Sequence, residues 1–336
     1  MVEEIKIFGA ALDALPSIER VNLKRAYLHY MRNRSPIEGK WQDPYDFVKG
    51  LTERSVLNNR IGWSGKIPIP SWLTPKPQKG DTSRLSVENL LNFLETDGCW
   101  SYALMIADSI RREFDRVMPV MIGVDHSLTG GSIMALAERY PNLNVVIIDA
   151  HFDVLGPERF YEGSQLNYYG CGNFLDHLLK RKVIAPKNLW ILGVQDEMSR
   201  ELMGESTIRQ GMDLNTASLK EWMKKGVHVI FKREVQAIDF QVDLDGPTYL
   251  SIDMDVGSMS SIYSARFMNS YGLNPAEFLQ LLRKVFRWIR SSHCPLAGLD
   301  IMEFDIHFWE VIREKGMDDR TEEIVKEIFR LFVNRN

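Results

Sequence analysis

The chain has 336 residues, 45% hydrophobic and 26% charged, which is enough to bury the core of one large α/β domain. Its formal net charge of −4 leaves no electrostatic footprint for nucleic acid or for an anionic membrane surface. Cys99, Cys171 and Cys294 are far apart and read as free thiols in a reducing compartment; with no basic-then-apolar leader and no apolar run of about eighteen residues, the expectation is a soluble cytoplasmic protein.

In chain order, residues 5–10 predict a first strand. Residues 16–32 predict a helix with Leu23, Ala26, Tyr27 and Tyr30 along one face. The stretch 33–82 is Pro- and Trp-rich, weakly periodic and punctuated by Pro68, Pro70, Pro75 and Pro77. It is long for a connection, and predicts an insertion, interface segment or lid within a single domain covering 1–336. A helix begins near Ser86 and another covers 102–114. Strands then follow at 117–122, 144–149, 188–193, 227–231, 248–253 and 296–302. Helical patterns at 129–140, 216–225 and 274–290 sit between them, the last with Asn274 as N-cap and Pro275 in its first turn. A final helix, 321–333, carries Ile324, Val325, Ile328 and Leu331 in one stripe. This alternation predicts a parallel sheet with helices on both faces.

Three fragments carry chemistry. Asp149-Ala150-His151-Phe152-Asp153 follows the apolar run Val145–Ile148. In an extended segment, alternate residues point the same way, so Asp149, His151 and Asp153 converge. Gly123-Val124-Asp125-His126-Ser127 and Ser251-Ile252-Asp253-Met254-Asp255 also follow apolar strands. All three are therefore expected at the carboxyl edge of the sheet, where open α/β sheets bind ligands. Together they supply four carboxylates (Asp149, Asp153, Asp253, Asp255) and two imidazoles (His126, His151). That is more than one cation needs and suits two cations sharing bridging carboxylates. Oxygen ligands with some imidazole and no thiolate favour Mn²⁺ over structural zinc. Gly130-Gly131, with no Lys-Ser/Thr after it, reads as close packing and not as a phosphate loop.

The same fragments resemble the ureohydrolases, the superfamily of arginases, agmatinases, formimidoylglutamases and their relatives. That family carries Gly-Gly-Asp-His-Ser, Asp-Ala-His-x-Asp and Ser-x-Asp-x-Asp, and a fourth segment similar to Gly298-Leu299-Asp300-Ile301-Met302-Glu303 here. The resemblance covers roughly 115 to 310. It implies an arginase-like three-layer α/β/α fold, a mostly parallel central sheet, and two Mn²⁺ per chain. It also implies Asp149 and Asp253 as bridges, His126 and Asp153 completing one site, and His151 and Asp255 the other. A homo-oligomer, trimer or hexamer, is the assembly it implies.

Departures from the pattern fall in the substrate segments. After Asp255 the family has x-x-Asp-Pro, whereas this chain has Val256-Gly257-Ser258-Met259. The family's Ser-Gly-Asn-x-His-Gly is matched by Cys171-Gly172-Asn173-Phe174-Leu175-Asp176, so Leu175 stands where the proton-shuttling His belongs, and His177 is the candidate substitute. Met198 stands where arginases carry an Asp that holds the α-amino group, which disfavours L-arginine. Glu303, after an apolar strand, suits bidentate hydrogen bonding to a planar cation. Arg266 is read as a candidate for a substrate carboxylate, with solvent exposure the commoner outcome; Asp305 and His307 alternate after Glu303 and are as readily surface residues.

The expected activity is Mn-dependent hydrolysis of a non-peptide C–N bond in a small guanidino or amidino compound, agmatinase-like or guanidino-acid-hydrolase-like, releasing urea. A metal-bridging hydroxide is the expected nucleophile, with Asp255 handling its proton, Glu303 positioning the cation and His177 the candidate acid. Two rivals stand beside it: a formimino or amide hydrolase on the same or a deacetylase-like fold, and a non-catalytic relative that keeps its metals as a staple.

Overall fold

The computed structural model describes residues 4–33, 43–53, 61–114, 117–154, 168–196, 216–240, 242–259, 261–267, 270–306 and 316–333. Eight strands among them form one sheet: β1 (Glu4–Ala10), β2 (Ile61–Lys66), β3 (Val117–Gly123), β4 (Asn144–Ile148), β5 (Leu189–Val194), β6 (His228–Phe231), β7 (Thr248–Asp253) and β8 (Leu296–Met302). Their order is β2-β1-β3-β8-β7-β4-β5-β6, and every pairing is parallel. The helices are α1 (Ile18–Asn33), α2 (Pro44–Thr52), α3 (Val87–Glu95), α4 (Gly98–Glu113), α5 (Thr129–Arg139), α6 (Phe174–Lys180), α7 (Thr216–Lys224), α8 (Pro275–Ser291) and α9 (Thr321–Val333).

Period-two side-chain alternation explains the three layers. Within β4, Val145 and Ile147 enter one apolar cluster with residues of α3, α4, α5 and α6. Val146 and Ile148 enter a second with α2, α8 and α9. A strand buried on both faces is mostly apolar, as β4, β7 and β8 are; two buried polar exceptions, Ser251 and Asp300, face each other across β7 and β8. Helix starts follow capping chemistry. Ser86 accepts from Asn89 N–H at the head of α3, and Asn274 and Glu277 form a reciprocal capping box before α8.

Within 33–82, residues 34–42 and 54–60 lie outside the described residues; of the rest, α2 packs beside β1, and β2 extends the sheet as an edge strand paired with β1. The β2 sequence, Ile-Gly-Trp-Ser-Gly-Lys, has two glycines and a half-exposed pattern, so it carries little strand signal. In α1 the buried face is Arg20, Val21, Lys24 and Leu28, and Ala26 is exposed. Hydropathy misplaced that face because two cations turn inward to buried carboxylates.

Candidate metal centre

The four central strands, β3, β8, β7 and β4, end side by side. Chain-consecutive β3 and β4 are separated there by β8 and β7, so a crevice opens at their carboxyl ends. Asp125 and His126 follow β3, and Asp149 to Asp153 follow β4. Asp253 and Asp255 end β7 and open the turn after it, and Glu303 follows β8.

Local turn chemistry aims these side chains. Asp149 Oδ1 accepts the His151 N–H at 2.7 Å, and Asp253 Oδ1 accepts the Asp255 N–H at 2.8 Å. Each is an Asx-type turn that uses one carboxylate oxygen and leaves the other facing inward. Asp149 Oδ2, Asp153 Oδ2 and Asp253 Oδ2 gather at 3.2, 2.9 and 2.9 Å from His126 Nδ1. His151 Nδ1 lies 3.1 Å from Asp255 Oδ2 and 3.5 Å from Asp149 Oδ1. Ligand atoms of His126, Asp149 and Asp153 lie within 4.8 Å of one another, as do those of Asp149, His151 and Asp255. Asp149 belongs to both groups. Asp153 and Glu303 hold left-handed backbone, φ 48° and 49°, a cost of order 1–3 kcal/mol that persists where surroundings enforce it.

The electrostatics ask for positive charge. Burial, then Asp149, pushes the Asp153 carboxyl up to about 7. Burial raises Asp255 to about 6, against the pull of His151. Burial, then Asp255 and Asp149, holds Asp253 well above the carboxylate range. Burial disfavours the charged form of His126 and His151, yet the surrounding carboxylates outweigh it and raise both well above ordinary histidine. His126 Nδ1, Asp149 Oδ2, Asp153 Oδ2 and Asp255 Oδ1 are buried without a hydrogen bond. Orphaned acceptors at that density are costly unless a cation satisfies them, so the residues present fit a divalent pair.

Supporting residues appear that the sequence reading left without a role. His126 Nε2 lies 2.9 Å from Ser251 Oγ, which orients the ring so that Nδ1 faces the carboxylates. Asp300, paired in register with Ser251 across β7 and β8, takes the Thr129 and Tyr249 hydroxyls on Oδ2 at 2.6 and 2.5 Å. Ser251 and Asp300 lie inside the quoted motifs, so a signal for them was present. Asp13, Arg20 and Lys24, buried beside the site, have none.

Arg266 corrects an expectation. It is buried, not exposed. Its Nε and Nη2 donate to the two carboxylate oxygens of Glu303 at 2.5 and 2.6 Å, and its Nη1 donates to Asp125 at 2.9 Å. Glu303 Oε1 also accepts the His126 N–H at 3.0 Å. Asp305 is likewise fully buried and paired with Arg20 at 2.5 Å, away from any surface role. His177, on α6, packs edge-on against Tyr169 at 5.4 Å, and no hydrogen bond or ion pair joins it to the six ligands. Leu175 is buried, its N–H on the Asp153 carbonyl. Met198 and His307 lie outside the described residues. Gly130 and Gly131 are close-packing positions as expected: a Cβ would meet Tyr169 Oη at 2.0 Å and the Ala103 carbonyl at 2.1 Å.

Comparison with known proteins agrees with this geometry. A sequence model of the arginase family matches residues 81–310, more than half of the chain. An arginase from Plasmodium berghei (strain Anka) is 29% identical over 200 residues, covering 55% of this chain and 51% of that protein. The arginase of Saccharomyces cerevisiae is 27% identical over 150 residues, 41% of this chain and 43% of that one. The chain thus spans about half the length of these relatives. Among solved structures, Bacillus caldovelox arginase superposes with a TM-score of 0.58 at 17% identity, over 99% of this chain and 98% of that one. Proclavaminate amidino hydrolase from Streptomyces clavuligerus gives 0.57 at 20%, over 99% and 91%. Formimidoylglutamase from Bacillus subtilis gives 0.55 at 16%, over 99% and 89%. At those identities the likeness carries the fold, and the family match carries membership: the chain belongs to the arginase family.

Proposed function

We propose that this chain is a metal-dependent hydrolase of a non-peptide C–N bond in a small amidino or guanidino compound. One observation carries the reading: two ligand groups that share the buried Asp149 at the carboxyl edge of the central strands. His126, Asp149, Asp153 and Asp253 would hold one cation, and Asp149, His151, Asp253 and Asp255 the other, with Mn²⁺ favoured by the donor set. Such a pair, when bound, supplies an activated water near neutral pH. Asp255, whose Oδ2 lies 3.1 Å from His151 Nδ1, would take the proton of the attacking water and pass it to the leaving nitrogen. Water adds to the planar carbon, the C–N bond breaks and the amine leaves with the proton; a guanidine gives urea and an amine. His151, the partly exposed member of the set, marks the mouth. The same reading has the protein acting in the cytoplasm as a homo-oligomer, without nucleic acid or membrane. Among the described residues, no helix is long and apolar enough to cross a membrane.

A second reading keeps the centre and changes the substrate. Glu303, expected to grip a planar cation, is already gripped by Arg266. That favours an uncharged amide, cleaved to a carboxylic acid and an amine. Urea and amine release from guanidino compounds and from small amides, by Mn²⁺-loaded protein with Asp255→Asn alongside, tests both. Asp255-dependent product from any of them supports a hydrolase, and none from all of them rejects it.

A further inference from the structure

Glu303, the carboxylate expected to grip a planar cation, is gripped by a planar cation that belongs to the chain. Residues 264–266 run antiparallel to 303–305, joined by Arg266 N–H to the Glu303 carbonyl at 2.8 Å and Asp305 N–H to the Ser264 carbonyl at 2.7 Å. This short ladder puts the Arg266 guanidinium in a fork-to-fork pair with Glu303 and leaves its third nitrogen on Asp125. The Arg266 side chain has no solvent exposure, and Glu303 has 2%. With the His126 N–H also on Oε1, the carboxylate receives three donors. An incoming cation would have to expel a buried guanidinium from two carboxylates.

We propose that Arg266 is a built-in occupant of a latent guanidinium site at Glu303, and that it sets specificity by turning the centre away from cationic substrate groups towards uncharged amides. Its second half rests on the amide reading of the hydrolase and competes with the guanidino reading; occupancy of Glu303 stands on geometry alone. Surrounding charges support it. Asp13, 3.7 Å from Arg266 Nη1, is shared with Arg20 and Lys24, and Arg20 reaches Asp305. Each buried carboxylate around Arg266 (Asp13, Asp125, Glu303, Asp305) thus has a cation of the chain beside it. The side-chain hydrogen bonds of Arg266 go to Glu303 and Asp125, not to the six ligands, so it is a specificity-determining residue and not a catalytic one.

The test is chemical rescue in full-length, metal-loaded protein. Arg266→Ala should lower Tm by several degrees, because Glu303 and Asp125 lose a buried partner. Low-millimolar guanidinium or methylguanidine should recover much of that loss, while equal tetramethylammonium does not; wild type should show no rise with any of the three. Arg266→Lys, which keeps a charge for Asp125 but cannot fork onto Glu303, serves if the alanine variant fails to fold and should show a smaller recovery. Combining either substitution with Glu303→Gln should abolish recovery. A guanidinium-induced rise in wild type, or no recovery in the single variants, overturns the proposal. Asp255-dependent urea release by wild type overturns its specificity half while leaving the hydrolase reading intact. Rescue of the variant with no turnover of any compound by wild type separates the two: the occupant stands and the hydrolase reading falls.

Discussion

At the scale of single residues, the centre depends on groups that touch no ligand. Ser251 Oγ lies 2.9 Å from His126 Nε2, so the ring is held from behind while Nδ1 faces three carboxylates. Outer partners of this kind typically contribute a factor of about 10–100 in metal affinity. Ser251→Ala should therefore weaken Mn²⁺ binding by roughly that factor, with little change in the far-UV spectrum; titration calorimetry reads it. Unchanged affinity would mean that packing of Phe174, 4.9 Å from His126 ring to ring, orients the imidazole alone. Arg266 makes the complementary point: an arginine in a loop is exposed by default, and only a second backbone segment beside it, ending in a carboxylate, reverses that.

Between elements, two contacts decide geometry. Helices α4 and α5 cross where Gly131 lies against the Ala103 carbonyl. Since α5 begins just after His126, that crossing sets the position of a ligand. Gly131→Ala should cost about 1–3 kcal/mol by overpacking, measured by urea unfolding, and should lower metal affinity as α5 shifts. On the opposite face, Glu327 of α9 accepts from Arg330 and from Arg283 of α8 at 2.6 and 2.7 Å. Arg330, against the opposing effect of burial and with help from Arg283, holds Glu327 down from 4.5 to about 2. A depressed carboxylate stabilises the fold above its unfolded value and loses that contribution as pH falls through the folded one. Stability should thus decline between about pH 4.5 and 2 partly through this group. Glu327→Gln should be less stable than wild type near neutrality, and the gap should close as pH falls through that window. An equal gap at all pH values would assign the effect to packing.

For the whole molecule, the sheet holds its six ligands at one edge, on the ends of three strands, β3, β4 and β7, and the segments after them. A ligand that binds only there ties those segments together in the folded state. Each cation at 100 times its dissociation constant should add about 2.7 kcal/mol, so Mn²⁺ should raise Tm and EDTA should reverse the rise. A Tm indifferent to Mn²⁺, Zn²⁺ and EDTA would rule out the paired centre.

What the sequence determined by itself was the part encoded locally. Continuous apolar runs specify strands buried on both faces, and Asp-x-His-x-Asp spacing specifies turns that aim ligands one way. The parallel, three-layer arrangement and the convergence of His126, Asp149, His151, Asp153, Asp253 and Asp255 were legible for that reason. What only the tertiary structure decided was pairing between segments distant in the chain. β2 became an edge strand because β1 offered it hydrogen bonds, not because Ile61–Lys66 favours extension. Arg20 and Lys24 turned inward because Asp13 and Asp305 are buried there. Arg266 closed on Glu303, 37 residues away, because burying two opposite charges together costs far less than burying either alone. That last pairing, written in no motif, decides what the site can accept.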